Sequence, residues 1–179
     1  PKWVKKNGHK IIGDFTELLA IPNVALDRQN IRKNAEYISE LFQNRGFEMQ
    51  LLEADGANPI IYGEMKKPGA TRTLCFYVHY DGQPVDESKW KHAPFKPVLY
   101  SGPMDAGGKP IDLPNKRTKI NPEWRLYGRS AGDDKAPIIT ILNAVDALQA
   151  SNIGITSNIK LFFEGEEEAG STNLKVHLS

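Results

Sequence analysis

The sequence predicts an α/β protein with a mainly parallel mixed sheet and helices on both faces. Two apolar runs, TRTLCFYVHY (71–80) and SNIKLFFEG (157–165), have the length and composition of buried strands. The run PIITILNAVDALQA (137–150) between them has the length and spacing of a helix. Strand, helix and strand in this order are typical of a parallel pair joined by a crossover helix.

Two helices are predicted before the first strand. Residues 8–21 place apolar side chains at helical spacing until Pro22 interrupts the pattern. Residues 27–45 carry their apolar side chains on one helical face, and Gly46 follows where a left-handed cap is needed. The first sheet residues therefore follow two amphipathic helices.

The remaining elements follow in chain order. FEMQLLE (47–53) and PIIYGEM (59–65) are predicted strands ahead of the strand at 71–80. The proline-rich segment 81–123 cannot form one regular element, and a loop of such length in a compact domain is often functional. EWRLYG (123–128) is predicted as a short strand, and the tail after the last strand begins another helix.

The composition is that of an ordinary globular protein. Of 179 residues, 40% are hydrophobic and 25% charged, and 23 basic residues nearly balance 22 acidic ones. The basic residues form no stripe, no apolar run could span a bilayer, and the amino end PKWVKKNGHK lacks an apolar signal core. We therefore expect no nucleic-acid or membrane partner, and the compartment stays open between the cytoplasm, which is favoured, and export. The single cysteine, Cys75, lies in the run LCFYV and is predicted to be a buried small hydrophobe.

Polar side chains follow the two apolar strands and precede the helix between them. VHYD supplies His79 and Asp81, FEGEEE supplies Glu166, Glu167 and Glu168, and GRSAGDDKAP supplies Asp133 and Asp134. Each motif has a structural alternative: a histidine tied to a carboxylate, a solvated acidic turn, and a helix cap. All three nevertheless converge on the carboxyl edge of the predicted sheet, where ligands bind in open parallel sheets. This convergence favours a functional site.

A metal centre would give these residue types a common chemistry. Imidazole and carboxylate groups are common zinc ligands, and one carboxylate can bridge two ions. His79 and Asp81 are two residues apart on a strand and share a side, so the Asp81 carboxylate can hold the second imidazole nitrogen. A pair of cations would also offset the repulsion among the clustered glutamates.

Three motifs of the sequence resemble those of one known family. They are, in chain order, VHYDGQPVD, LYGRSAGDDKAP and FEGEEEAGS, and Trp90, Pro94 and Phe95 lie between the first two. It is the family of zinc-dependent metallopeptidases of the aminoacylase, carnosinase and carboxypeptidase-G type, family twenty of that class. The resemblance spans the whole chain. It implies the family's catalytic α/β fold and hydrolysis of amide bonds in dipeptides or other small peptides, with N-acyl amino acids as alternative substrates.

The resemblance also implies residue roles and cofactors. His79 would bind one zinc ion, Glu168 would bind a second, and Asp133 would bridge the two; cobalt and manganese are alternatives to zinc. Asp81 would orient His79, and Glu167 would be the general base that deprotonates the metal-bound water. The other acids of the motifs receive no ligand role.

The sequence departs from the family pattern near the motifs. Val78, Ser130, Gly132 and Ala136 stand where other residues are usual, and none of them removes a ligand. The stretch 99–124 is longer than in most members, which indicates a subgroup with its own access to the site. Of the remaining glutamates of the FEGEEE run, both are expected to be supporting or solvated; they are Glu164 and Glu166.

The resemblance further implies parts that residues 1–179 do not contain: another acidic ligand, a last histidine, and an inserted lid and dimerisation domain. We therefore expect the chain to be the amino-terminal portion of a single catalytic domain, with two protein ligands for each zinc ion and no peptidase activity alone. The whole protein would be a homodimer through the missing domain. A noncatalytic fragment or scaffold is the alternative from another functional class.

Overall fold

The computed structural model describes residues 2–178. Its helices and strands alternate irregularly along the chain, and two short 3₁₀ helices, Glu87–Lys89 and Glu167–Ala169, lie between them. The elements are α1 (Lys2–Ala20), α2 (Arg28–Gln43), β1 (Glu48–Leu52), β2 (Ile60–Met65), β3 (Thr73–His79), β4 (Val98–Tyr100), β5 (Arg125–Tyr127), α3 (Lys135–Ala150), β6 (Asn158–Glu164) and α4 (Leu174–Leu178). Among residues 2–178, no helix has the length and apolar character needed to cross a membrane.

The main sheet has four strands in the order β1-β2-β6-β3. β1 pairs with β2 and β2 pairs with β6 in antiparallel fashion, whereas β3 and β6 are parallel. The predicted mixed α/β class is confirmed. The balance of pairings differs from the expectation of a mainly parallel sheet, because the short connection 53–59 returns the chain as an antiparallel hairpin. The parallel pair is the one joined through α3, as predicted.

The core lies on one face of this sheet. Ile159, Leu161 and Phe163 alternate along β6 toward this face and are buried with side chains of all three long helices. Phe163 makes an edge contact with Phe42 of α2, at 5.6 Å between ring centroids. We expected helices on both faces, but within the described residues α1, α2 and α3 share this one face. The opposite face carries partly exposed aromatic side chains, including the stacked pair Tyr77 and Phe162.

β3 lies at the edge of the sheet, where the sequence predicted a strand buried on both faces. Its first three residues are exposed, and the side chains of Leu74 and Tyr77 are 51% and 52% exposed. Cys75 is exposed as well, so its prediction as a buried hydrophobe is wrong. The physical reason is that β6 covers one edge of β3, and no other strand described here pairs with the second edge.

The helix boundaries follow local sequence signals with one exception. Asp27 caps α2, where its carboxylate accepts the Asn30 N–H at 3.1 Å, and Gly46 has the predicted positive φ of 85°. α1, by contrast, begins at Lys2 and not at residue 8. Gly8 lies inside this helix because it allows a close approach: a Cβ there would be 2.6 Å from a side-chain carbon of Ile120.

The long segment after β3 is folded, although it contains little regular structure. It holds β4, which the sequence did not predict, and β4 pairs with the predicted short strand β5 in a separate two-stranded sheet. Tyr100 of β4 is fully buried and packs against Tyr127, with 5.2 Å between ring centroids. His92 Nε2 lies 2.5 Å from the Tyr100 hydroxyl. This small aromatic cluster fixes the chain that approaches the candidate site.

Candidate metal centre

The candidate site forms where the parallel pair β3 and β6 ends. His79 and Glu164, the last residues of the two strands, are directly paired across the sheet. Beyond β6 the chain turns into the 3₁₀ helix Glu167–Ala169, and Asp133 approaches from the loop before α3. The predicted residues from all three motifs therefore meet at the carboxyl edge of this pair.

Three of these residues lie close enough to share a cation. One ligand atom each from His79, Asp133 and Glu168 lie within 4.8 Å of one another. His79 Nε2 is 2.8 Å from Asp133 Oδ1 and 3.8 Å from Glu167 Oε2. One imidazole and two carboxylates form a donor set suited to zinc and similar divalent ions. The chemistry of the donors thus fits the implied metal.

Asp81 connects the histidine to the glutamate turn. Its carboxylate is fully buried, and Oδ1 lies 3.3 Å from His79 Nδ1. The same carboxylate accepts the backbone N–H of Glu167 at 3.2 Å and that of Glu168 at 3.0 Å. The sequence predicted only the first contact, because a pattern of side chains does not show which backbone groups a carboxylate will bind. Asp81 therefore fixes the positions of both motifs.

The electrostatics of the site are set by its carboxylates. Burial lowers the pKa of His79, but the neighbouring Asp81 and Asp133 carboxylates and the charge of Glu167 outweigh it and raise that pKa to about 9. Without a cation the imidazole is therefore charged at neutral pH, and it must lose its proton to become a metal ligand.

The two adjacent aspartates differ in environment. The Asp133 side chain is 79% exposed at the mouth of the site. Asp134 Oδ2 accepts the backbone N–H of His79 at 3.4 Å, and burial raises the pKa of Asp134. Asp134 occupies the cap position of α3 but makes no side-chain capping bond, and the peptide bond between the two residues is cis. The helix-cap alternative is therefore not what the structure shows.

Lys135 is a buried residue that the sequence did not single out. Its side chain is fully buried, and Nζ donates to the carbonyl oxygens of Leu18 and Ile21, each at 2.9 Å. Leu18 cannot make the usual helical bond to the residue four positions on, because Pro22 has no N–H. Burial lowers the pKa of Lys135 to about 7. This contact ties the start of α3, and so Asp133, to the end of α1.

The other two glutamates of the acidic run have structural roles. Glu164 is almost fully buried and accepts a hydrogen bond from the Tyr77 hydroxyl. Glu166 accepts the Asn58 N–H at 2.7 Å and a bond from the Asn173 side-chain amide at 2.9 Å. The sequence predicted that these two glutamates would be either supporting or solvated. Both make supporting hydrogen bonds, and Glu164 is buried away from solvent.

An open cleft of about 540 Å³ is lined by two of the three candidate ligands, Asp133 and Glu168. Gln83, Trp90 and Arg129 are among the other residues that line it. This volume lies in the range of small-molecule sites. The cleft thus offers room for a small substrate next to the candidate metal ligands.

Comparison with known proteins identifies similar sequences. A model of the family described as Peptidase family M20/M25/M40 matches residues 75–178. The chain is 30% identical over 181 residues to the Cys-Gly metallodipeptidase of Candida albicans, and the aligned region covers 92% of this chain and 33% of that protein. It is 35% identical over 118 residues to the human Beta-Ala-His dipeptidase, and this aligned region covers 65% of this chain and 19% of that protein.

A solved structure is similar as well. The dipeptidase Dug1p of Saccharomyces cerevisiae superimposes with a TM-score of 0.75 at 25% sequence identity, over 98% of this chain and 36% of that one. The chain thus spans about a third, or less, of the length of the relatives it matches.

Proposed function

The chain belongs to peptidase family M20/M25/M40, and on that premise we propose that it is the amino-terminal portion of the catalytic domain of a metallopeptidase. The proposed substrates are dipeptides and similarly small peptides, since the two curated relatives are named for dipeptides. The observation that carries the proposal is the meeting of His79, Asp133 and Glu168 at the sheet edge, beside a cleft of small-molecule size.

In this proposal the chain is part of a longer protein, called the parent enzyme below, which uses two zinc ions. His79 would hold one, Glu168 the other, and the exposed Asp133 carboxylate would bridge them. When bound, the ions would polarise the scissile carbonyl and make a water molecule acidic enough to serve as the nucleophile. The chain then needs no nucleophilic side chain of its own.

Glu167 is the proposed general base. Its carboxylate is 44% exposed and lies at the same edge, with Oε2 3.8 Å from His79 Nε2. It is not among the three clustered ligand atoms, so it stays free to accept a proton from water and return it to the leaving amine. Asp81 holds the Glu167 backbone N–H and so keeps this glutamate beside the histidine.

The proposed centre is incomplete within this chain. Each zinc ion would have two protein ligands here, whereas zinc sites usually have three or four. We propose that a longer parent protein supplies another acidic ligand and a histidine, together with a lid domain through which it forms a homodimer. Residues 1–179 alone would then bind zinc weakly and show no peptidase activity.

Activity assays test the proposal. The parent protein with zinc is expected to hydrolyse Cys-Gly or β-Ala-His dipeptides, and Glu167→Gln should lower kcat by about 10²-fold or more because general-base catalysis contributes about 10²–10⁴. The control is Glu36→Gln, at an exposed glutamate on α2. Full activity of Glu167→Gln would remove the general-base assignment.

The same assays decide between the alternatives. Hydrolysis of N-acyl amino acids without hydrolysis of dipeptides would replace the dipeptidase by a deacylase. A parent protein that bound zinc but acted on neither class would favour a noncatalytic scaffold. Robust turnover by residues 1–179 alone would overturn the proposal that the chain is an incomplete catalytic domain.

A further inference from the structure

Gln83 contacts the glutamate turn at two points. Its side-chain Nε2 donates to the Glu168 carbonyl oxygen at 3.0 Å and to Glu168 Oε2 at 2.8 Å. One amide group therefore binds both the backbone and the carboxylate of a single residue. Neither the motif VHYDGQPVD nor its spacing predicted this contact.

The backbone that carries Gln83 is held on both sides. Before it, the Gly82 N–H donates to the Asn23 carbonyl at 2.8 Å, and the Gly82 carbonyl accepts the Ala25 N–H at 3.1 Å. After it, Pro84 restricts Gln83 to an extended conformation. The amide of Gln83 thus projects from a fixed position toward Glu168.

Glu168 has little else to orient its carboxylate. It lies in a 3₁₀ helix of three residues, and its backbone N–H is bound to Asp81. Among residues 2–178, Gln83 supplies the only hydrogen bond to this carboxylate, which takes part in no ion pair closer than 4.0 Å. The bond occupies Oε2 and leaves other lone pairs of the carboxylate for a cation.

We propose that Gln83 is a positioning residue that holds the Glu168 carboxylate in place for metal binding. The proposal rests on the metal centre proposed above. A neutral amide suits this role because it donates a hydrogen bond without adding positive charge, which would compete with a cation for the carboxylate. Contacts of this kind behind a ligand typically change metal affinity by about 10–100-fold.

The first test measures metal affinity. In the Gln83→Met variant of residues 1–179, which keeps the side-chain length and removes the donor, we expect the weak zinc affinity of the chain to fall about tenfold further in chelator competition. Bound Co²⁺ should also show shifted absorption bands, while the melting temperature of the metal-free protein stays unchanged. Gln149→Met is the matched control, because Gln149 also donates to a backbone carbonyl, that of Arg45 at 3.1 Å, but lines no part of the cleft.

A second measurement needs no metal. Carbon-13 NMR relaxation of the Glu168 carboxylate in the metal-free chain should show increased mobility in Gln83→Met and no change in Gln149→Met. Unchanged mobility together with unchanged zinc affinity would overturn the positioning role. If the wild-type chain bound neither Zn²⁺ nor Co²⁺, the proposed metal centre would fail in this chain, and the mobility measurement would still decide whether Gln83 holds Glu168.

Discussion

Gly82 and Ser130 approach each other closely beside the candidate centre. A Cβ atom on residue 82 would lie 2.5 Å from Ser130 Oγ and 3.2 Å from the nitrogen of the Asn23 side-chain amide. Ser130 has a φ of 59°, in the left-handed region that costs a residue other than glycine about 1 kcal/mol or more. Its hydroxyl is held by the Asn23 amide at 3.0 Å. These two positions constrain the loops that carry Asp81 and Asp133.

The contact predicts a coupled effect on stability. Gly82→Ala should lower the free energy of unfolding by about 1–3 kcal/mol, because the added methyl group overlaps the serine hydroxyl. Combining it with Ser130→Gly should restore much of the loss, since glycine removes the hydroxyl and accepts the positive φ. Urea denaturation of both single variants and the double variant measures this coupling.

Gly132→Ala is the matched control for this cycle. It lies in the same loop as Ser130, and a Cβ atom there would meet nothing within 4 Å. Its free energy of unfolding should stay within about 0.5 kcal/mol of the wild type. Strictly additive effects of Gly82→Ala and Ser130→Gly would contradict the predicted overlap.

At the scale of elements, α1 and α2 are joined by a hydrogen bond from the Tyr37 hydroxyl to Glu17 Oε2 at 3.0 Å. Burial, followed by this bond and the nearby negative charges, raises the pKa of Tyr37 above its ordinary value of 10. The folded protein therefore keeps Tyr37 protonated at a pH where the unfolded chain loses the proton. Stability from this group is present below pH 10 and falls as the pH rises above it.

Removing the hydroxyl tests this link between the helices. Tyr37→Phe should lower the free energy of unfolding by about 1 kcal/mol at pH 7. The gap between wild type and variant should shrink between pH 9 and pH 11, because only the wild type has this tyrosine to ionise on unfolding. Urea denaturation at several pH values measures the gap, and a gap independent of pH would refute the assignment. A double-mutant cycle with Glu17→Ala checks the partner.

The presence of the long helices and of the strands of the main sheet is predictable, because each of these elements carries its own apolar pattern. α2 shows this best, since Asp27 and Gly46 mark its two ends in the sequence and in the structure. The exposure of β3 is not predictable from its apolar residues, because an edge position depends on which strands pair. An apolar strand is buried only where other parts of the structure cover both of its edges and both of its faces.

The candidate site is predictable in part for a related reason. Motifs and the family resemblance group His79, Asp133 and Glu168, and the fold brings these three together. Two features escape such reasoning: Asp81 binds backbone N–H groups, and Lys135 binds backbone carbonyls. Every residue carries these backbone groups, so no side-chain pattern shows which of them will need a partner.

For the whole molecule, the β3 edge of the main sheet is unpaired among residues 2–178 and partly exposed. The exposed half of β3 borders an apolar groove of about 380 Å³ between β3 and α3, which Leu74, Phe76, Ile141 and Leu148 help to line. Edge strands with exposed apolar side chains usually pair with further structure or are protected from doing so. If the chain is part of a larger catalytic domain, as we propose, this edge is where additional sheet would fit.

Cys75 reports directly on whether this edge is covered. It is the single cysteine of the chain and is exposed in the middle of β3. In residues 1–179, a maleimide should label it to completion without denaturant, at a rate close to that of the unfolded chain. In a longer protein that includes the remainder of the catalytic domain, we expect labelling of this cysteine at least about tenfold slower, since hydrogen-bonded core strands open only rarely. Mass spectrometry of the peptide that contains Cys75 separates its labelling from that of other cysteines. Equal rates in the two proteins would show that β3 remains an edge strand, and the remainder of the domain would then have to join this chain elsewhere.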